Sequence, residues 1–337
     1  MGFKNEVYEG KGMENNNQLI TRKKKRKRLS SLDHFRGLAL FLMILVNSLS
    51  SYSNVPNWLK HSPWNGYQFP DLVAPMFLFA MGVAYRISLN ARLSRFGLKK
   101  TLFHFVKRYV ILFLFGFVGI LLVKRSFDWG ILQMLGAVGL FSLPIMFLPP
   151  LYSIVTSLIL LIFYQISIDT LGLSAYVSKF DMGGPFAILS WSFVLVFAAS
   201  FVGIEVFSQN RGVDLRKLLF SGITLTLVGV VLSFFIPFNK HLVTSSYILF
   251  STGLATILFS IFYIVVEIYK FHIDILDVLG RNSLIIFIFS NTVSTLLNEN
   301  LPNSLPIIYP VLITIGLLIV SIIIAKILAR YKIYIKL

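Results

Sequence analysis

LKHSPWNGYQFPDLVAPMFLFAMGVAY, residues Leu59–Tyr85, sets a histidine, a Trp-Asn-Gly turn and an aspartate directly against a long apolar run. The apolar part extends over 71–90 and matches the roughly 20 residues that a helix needs to cross hydrocarbon. Outer-membrane barrels show alternating segments of about ten residues instead. The segment therefore reads as a polar loop feeding a membrane helix, and the rest of the chain repeats that pattern.

The chain has 337 residues, of which 56% are hydrophobic and 13% charged, and a mean hydropathy of +0.78. A water-soluble domain of this length carries far more polar surface. The expected fold is all-α, a polytopic membrane helical bundle. Ten spans are expected, at about 36–52, 71–90, 105–123, 129–148, 151–168, 185–207, 217–236, 245–268, 277–297 and 306–328. The fourth and fifth are divided only by Leu148-Pro149-Pro150, a helix terminator. Residues 1–28 read as a basic, disordered cytoplasmic tail ending in TRKKKRKR, and 29–337 as a single transmembrane domain. No apolar stretch precedes Ser30, so no cleavable signal peptide is expected.

The formal net charge of +17 resembles a nucleic-acid signal, but its distribution favours orientation. With the N-terminus inside and ten alternating spans, 26 of the 31 Lys and Arg fall on the cytoplasmic side and 5 outside. That asymmetry follows the positive-inside rule, with both termini cytoplasmic and the basic cluster against anionic lipid. A nucleic-acid partner is not expected. His61 then lies outside, in the loop that opens the quoted stretch. The sequence shows no internal repeat and no inverted pair of broken helices, which argues against a secondary transporter.

Polar residues inside otherwise apolar spans stand out. Asn47 lies in span 1, Asp71 at the start of span 2, Asn239, Lys240 and His241 before span 8, and Asn291 in span 9. All are expected at one depth near the outer face. Each also has a structural reading. Asp71 serves as a helix cap, Asn47 and Asn291 as interhelical amides, and Lys240 as a snorkelling residue. Trp64-Asn65-Gly66 serves as an anchored turn, and Gln133 as a packing amide. Together, a histidine with a carboxylate to fix its tautomer makes a general base, and an amide can hold a reacting carbonyl.

Cysteine is absent, which excludes disulfides, thiolate nucleophiles and Cys-ligated metal. No nucleophile elbow, HExxH helix, P-loop or dinucleotide glycine fingerprint is present, and no metal site is expected. Metal-free acyl or glycosyl transfer at the membrane face fits the polar set. A carrier or flippase moving a glycan or lipid unchanged stands as the alternative. On the cytoplasmic side, Asp33 and Arg36 begin span 1, and Lys99, Lys100, Lys107, Arg108 and Arg281 can neutralise lipid phosphate or a phosphorylated cofactor.

RLSSLDHFRGLALFLMILVN (28–47) and KHSPWNGYQFPDLVAPMFLFAMGVA (60–84) resemble the heparan-α-glucosaminide N-acetyltransferase family of transmembrane acyltransferases and its prokaryotic relatives. The similarity continues in GILQMLGA (130–137), FDMGGPFAILSW (180–191), PFNKHLVTSSYILFSTGLA (237–255) and LGRNSLIIF (279–287). The resemblance implies transfer of acetyl from cytosolic acetyl-CoA to an amino-sugar amine, or a hydroxyl, of a glycan or glycolipid beyond the membrane. It implies His61, Asn47 and Asp71 as the catalytic set. It implies that Asn239, Lys240, Ser246 and Tyr247 line the site. Trp64, Asn65 and Asn291, at the same outer depth, are expected with them around the acceptor, and Arg36, Arg108 and Arg281, on the cytoplasmic side, around the CoA. A homodimer in the cell membrane is implied too. Met134 departs from the basic residue expected in that block, and the acceptor does not carry over.

Overall fold

The computed structural model describes residues 29–124, 128–207 and 213–334, and they contain helices and no strand. The basic tail before Leu29 lies outside the described residues. In chain order the main helices are α1 (Ser30–Leu49), α2 (Val73–Lys124), α3 (Ile131–Phe141), α4 (Pro150–Thr170), α5 (Ile188–Phe197), α6 (Leu215–Ser233), α7 (Ser245–Tyr263), α8 (Asp274–Arg281), α9 (Ser283–Asn300) and α10 (Ile308–Arg330). A π turn extends α5 through Ala198–Val202, and another extends α7 through Ile264–Ile268.

Among the described residues, seven helices are long and apolar enough to cross a membrane, and the chain is a polytopic helical membrane protein. One of the seven covers 53 residues, Phe69–Leu121, about 80 Å at 1.5 Å per residue, and cannot be one crossing. It bends at Gly97, whose backbone (φ 74°, ψ 178°) only glycine adopts readily. Its two arms, 73–96 and 98–124, correspond to the second and third expected spans.

Two expected spans take another form. The fourth is a helix of 11 residues, about 16 Å long, followed by a 3-10 turn at Ile145–Phe147 and by Pro149 and Pro150. Its length is half of what a hydrocarbon core requires. The ninth breaks at Asn282 (φ −121°, ψ 29°) into α8 and α9. The fourth is flanked by apolar residues and leaves no hydropathy signal, whereas the break in the ninth falls in the polar stretch Gly280-Arg281-Asn282-Ser283.

The helix α1 is central and packs against α2, α7, α8, α9 and α10. The crossing of α1 with α8 is tight: a Cβ at Gly37 or Gly280 would collide with the backbone of the other helix. That contact fixes Arg36 beside Arg281. At the periphery, α6 and α10 expose Phe220, Leu227, Val231, Ile319, Ile323 and Ile327. Exposed apolar faces of this kind suit lipid rather than water.

One basic residue counted with the loops is buried. Arg86, on α2, donates from Nη2 to Ser200 Oγ at 3.0 Å and from Nη1 to the Met146 carbonyl at 3.2 Å. It also reaches the Ala199 carbonyl through Nε. The π turn, together with the 3-10 turn ending near Met146, leaves carbonyls available, and the guanidinium takes them up.

Candidate active site

The loop between α1 and α2 closes on itself before the second helix begins. Asp71 sits in the 3-10 turn Phe69–Leu72, is buried, and accepts backbone N–H bonds from Gln68 at 3.0 Å and Ser62 at 3.3 Å. Its other oxygen receives His61 Nδ1 at 2.8 Å. Lys240 Nζ stands 3.8 Å from that same oxygen, with its own side chain nearly buried. Tyr247 donates to the Asp71 backbone carbonyl at 2.7 Å. Gln68, with its amide nitrogen turned toward them, bridges the carbonyls of Asn57 and Lys60.

This geometry defines the state of His61. With Nδ1–H donated to a buried carboxylate, Nε2 carries the lone pair, and it makes no hydrogen bond among the described residues. Burial lowers the His61 pKa below the ordinary histidine value, opposed by the Asp71 hydrogen bond and assisted by the Lys240 charge. The imidazole is therefore a neutral base at neutral pH. Burial also brings Lys240 down to about 8, with Asp71 and Asp181 holding it up. Histidine, carboxylate and amine form one coupled group outside the helices.

A second loop, 234–244, locks this arrangement. Asn239 donates to Asn65 Oδ1 at 3.1 Å and accepts from Leu242 N at 2.8 Å, while Gly66 N donates to the Phe238 carbonyl at 2.8 Å. Gly66 takes φ 122°, where a side chain would be strained. Ser246 bonds to Thr244 at 3.2 Å, and Thr244 to the Pro237 carbonyl at 3.0 Å. Trp64, about half exposed, stacks parallel to His241 with ring centres 5.7 Å apart.

The residues expected to gather at one site thus divide into three groups. His61, Asp71, Lys240 and Tyr247 line a small cavity of about 40 Å³. Asn65, Asn239 and Ser246 do not line it; their polar atoms are taken up in holding the two loops. Asn47 and Asn291 bond to each other at 3.0 Å across α1 and α9, and Asn298 donates to the Asn47 carbonyl. No hydrogen bond joins either asparagine to His61 among the described residues.

A larger cavity, about 670 Å³, opens toward the opposite ends of the same helices. Its walls carry Arg36 of α1, Arg92, His104 and Arg108 of α2, and Arg281 of α8. The three arginines expected to face a phosphorylated ligand are therefore brought together, with Arg92 and His104 added. His104 and Arg108 lie one helical turn apart, a spacing that could have shown them on one face. Arg281 pairs with Asp277 at 2.5 Å. Among the described residues, the buried Nε atoms of Arg108 and Arg281 have no hydrogen-bond partner, so donors remain for a ligand. Lys99, Lys100 and Lys107 do not line the cavity.

The two cavities share two wall residues, Met43 and Ile131. Along α1, the large cavity runs from Leu32 to Met43, and the small one takes over at Met43 and Val46. Along α2 the order reverses, with Ala74 on the small cavity and Phe77 to Arg92 on the large one. The pair therefore lies end to end through the bundle. Among the described residues, no group of three or more His, Asp or Glu is placed to hold a metal ion.

A polytopic helical bundle with a carboxylate-oriented histidine at one end and a cationic cavity at the other is the class that fold and site define. Residues 28–148 match a family model described as "Domain of unknown function (DUF5009)". The mouse heparan-alpha-glucosaminide N-acetyltransferase is 45% identical over 76 residues, 22% of this chain and 11% of that protein. The human one is 45% identical over 69 residues, 20% of this chain and 10% of that protein. The relation to heparan-alpha-glucosaminide N-acetyltransferases read from the sequence is thereby shown. The chain spans about a tenth of the length of the curated relatives it matches.

Proposed function

We propose that the protein is a membrane acetyltransferase. It takes acetyl from acetyl-CoA and delivers it to the amine of an amino sugar, or to a hydroxyl, on a glycan or glycolipid across the membrane. The observation that carries this reading is the end-to-end pair of cavities, one cationic and large, the other holding His61 and Asp71. The names of the similar mouse and human proteins support the acetyl donor and the amine acceptor.

In this reading Arg36, Arg92, Arg108 and Arg281 bind the CoA phosphates, for which planar guanidinium groups are suited. The thioester reaches past the shared wall. His61 Nε2 takes a proton from the acceptor nitrogen as that nitrogen attacks the thioester carbonyl. The carbon–sulfur bond then breaks, and the CoA thiolate leaves and takes a proton, from His61 or from water. His61 can equally carry the acetyl group briefly before passing it on. Asp71 holds the reactive tautomer, and Lys240 sets the charge around it. Asn47, in its bond with Asn291, fixes the α1–α9 wall beside the site. Trp64 offers an exposed ring on which a sugar can stack.

The arrangement in the membrane follows from the charge count. The arginine cavity faces the cytosol with both termini, His61 faces outward, and the chain crosses ten times counting the interrupted segments. The partners are membrane lipids, acyl-CoA, the glycan acceptor and a second copy of the chain.

The test is release of free CoA from acetyl-CoA by the purified full-length protein, with a panel of amino sugars as acceptors. The wild type is expected to release CoA with acceptor dependence, and His61→Ala to lose it. An unchanged rate in His61→Ala overturns the catalytic assignment. Movement of a labelled glycan across vesicles with no loss of thioester would establish a carrier instead.

A further inference from the structure

We infer that Met43 and Ile131 form a wall that limits the acyl chain to two carbons and closes the passage between the two halves of the site. The inference rests on the acyl-CoA reading above and names its donor class. Met43 is 6% exposed and lies on the side of α1 facing both cavities. Ile131 is the first residue of the short helix α3 and faces both as well.

Volume sets the limit. A cavity needs roughly 10–15 Å³ of this kind of space for each water-sized group. The small cavity, at about 40 Å³, holds about three such groups. An acetyl group has three non-hydrogen atoms: the carbonyl carbon, its oxygen and the methyl. A butyryl group has two more and exceeds that space. Asp71 and Tyr247 are held by hydrogen bonds, and Val46, Pro70, Val73 and Ala74 belong to or adjoin packed helices. Met182 and Lys240, the other flexible lining residues, do not face the large cavity. Met43 and Ile131 are the apolar side chains on the CoA side, so an acyl group entering from the large cavity meets them first. A methionine has three rotatable side-chain bonds and moves without shifting the backbone, which suits a wall that must also let the thioester through.

Ile131 stands in the first turn of α3, directly after Gly130, and that position sets its side chain against both cavities.

The experiment compares acetyl-, butyryl- and octanoyl-CoA as donors with glucosamine as acceptor, following free CoA. Wild type, Met43→Ala and Ile131→Ala are measured as full-length protein, with CoA affinity determined separately. One methylene rejected by a pocket is worth about 10–200-fold in kcat/KM. The wild type is therefore expected to prefer acetyl over butyryl by at least tenfold. Either alanine variant raises the butyryl-to-acetyl ratio by about tenfold or more, a ratio that divides out any common change in CoA affinity. Ile131→Ala carries the test if Met43→Ala does not fold. Equal use of acetyl and butyryl by the wild type, or an unaltered ratio in both variants, overturns the wall while leaving acetyl transfer in place. Failure of the wild type to release CoA from any donor overturns the transferase reading, and the wall with it.

Discussion

The two ends of the bundle are built on opposite principles. Around His61 the polar atoms other than its own Nε2 are held in place: Asp71 takes two backbone amides and an imidazole, and Asn239 donates to Asn65. Around the large cavity, the Nε atoms of Arg108 and Arg281 have no partner among the described residues. One end is finished before any ligand arrives; the other is completed by one. A saturated network holds a reacting geometry without reorganisation, which is what catalysis needs. Spare donors on long side chains adapt to a phosphorylated ligand, which is what binding needs. The division places chemistry and affinity in separate residues, and substitutions should separate them too.

The largest effect is expected at His61. Removing a general base costs about 10²–10⁴-fold in rate. For His61→Ala, CoA release should fall by that factor while CoA affinity, measured by isothermal titration, stays within about twofold. A matching loss of CoA affinity would break the separation, because it would make the histidine part of the binding end.

The reciprocal test uses Arg36→Gln and Arg108→Gln. A hydrogen bond to a charged group contributes about 1.5–3 kcal/mol, and 1.4 kcal/mol is tenfold in affinity. Each variant should weaken CoA binding by about tenfold or more, with the rate at saturating donor unchanged. A fall in that saturated rate with Kd intact would place these arginines in the chemistry.

Gly97 tests whether the binding end depends on the bend that shapes it. Its conformation costs a residue with a Cβ about 1–3 kcal/mol, although a methyl there would meet nothing within 4 Å. Gly97→Ala should lower the thermal midpoint by backbone strain alone. It should also weaken CoA binding modestly, because the bend sets Arg92 on one arm against His104 and Arg108 on the other. An unchanged midpoint would mean that the two arms tolerate a straighter path.

Much of this was legible in the sequence, and the reasons differ by residue. His61 and Asp71 are ten residues apart in a short loop before a helix, so their meeting required little of the rest of the fold. Arg36, Arg108 and Arg281 were gathered because they lie at the same ends of apolar spans. Arg92 was hidden in a run with Arg95, Lys99 and Lys100 that reads as a solvated face; only helical register selects it. Asn47 had two readings, a catalytic amide beside His61 and an interhelical amide; it pairs with Asn291, 244 residues away, as the second has it. Ser246 and Asn239 were expected to line the site and instead hold its loops, since a buried hydroxyl or amide satisfies either role on paper. The break at Asn282 and the short α3 escaped because hydropathy averages over about 20 residues and does not register a change of backbone direction.

The smallest expected effect is a displacement of pH dependence at Lys240, which moves a limb of the profile and not its maximum. His61 must be neutral to accept a proton, and its pKa lies below the ordinary value because of burial, with the Lys240 charge adding to that depression. The acidic limb of the wild-type profile should therefore lie below pH 6.5. Replacing Lys240 by methionine removes a cation that disfavours imidazolium, so the His61 pKa rises and the limb moves to higher pH. On the alkaline side, Lys240 loses its own proton near pH 8, leaving Asp71 without that neighbouring positive charge. The acidic limb lies below that region, so the charged form of Lys240 is the one that sets its position. An acidic limb that moved to lower pH in the variant would mean that Lys240 acts on His61 by position and not by charge. The saturated end would then owe its tuning to hydrogen bonds alone.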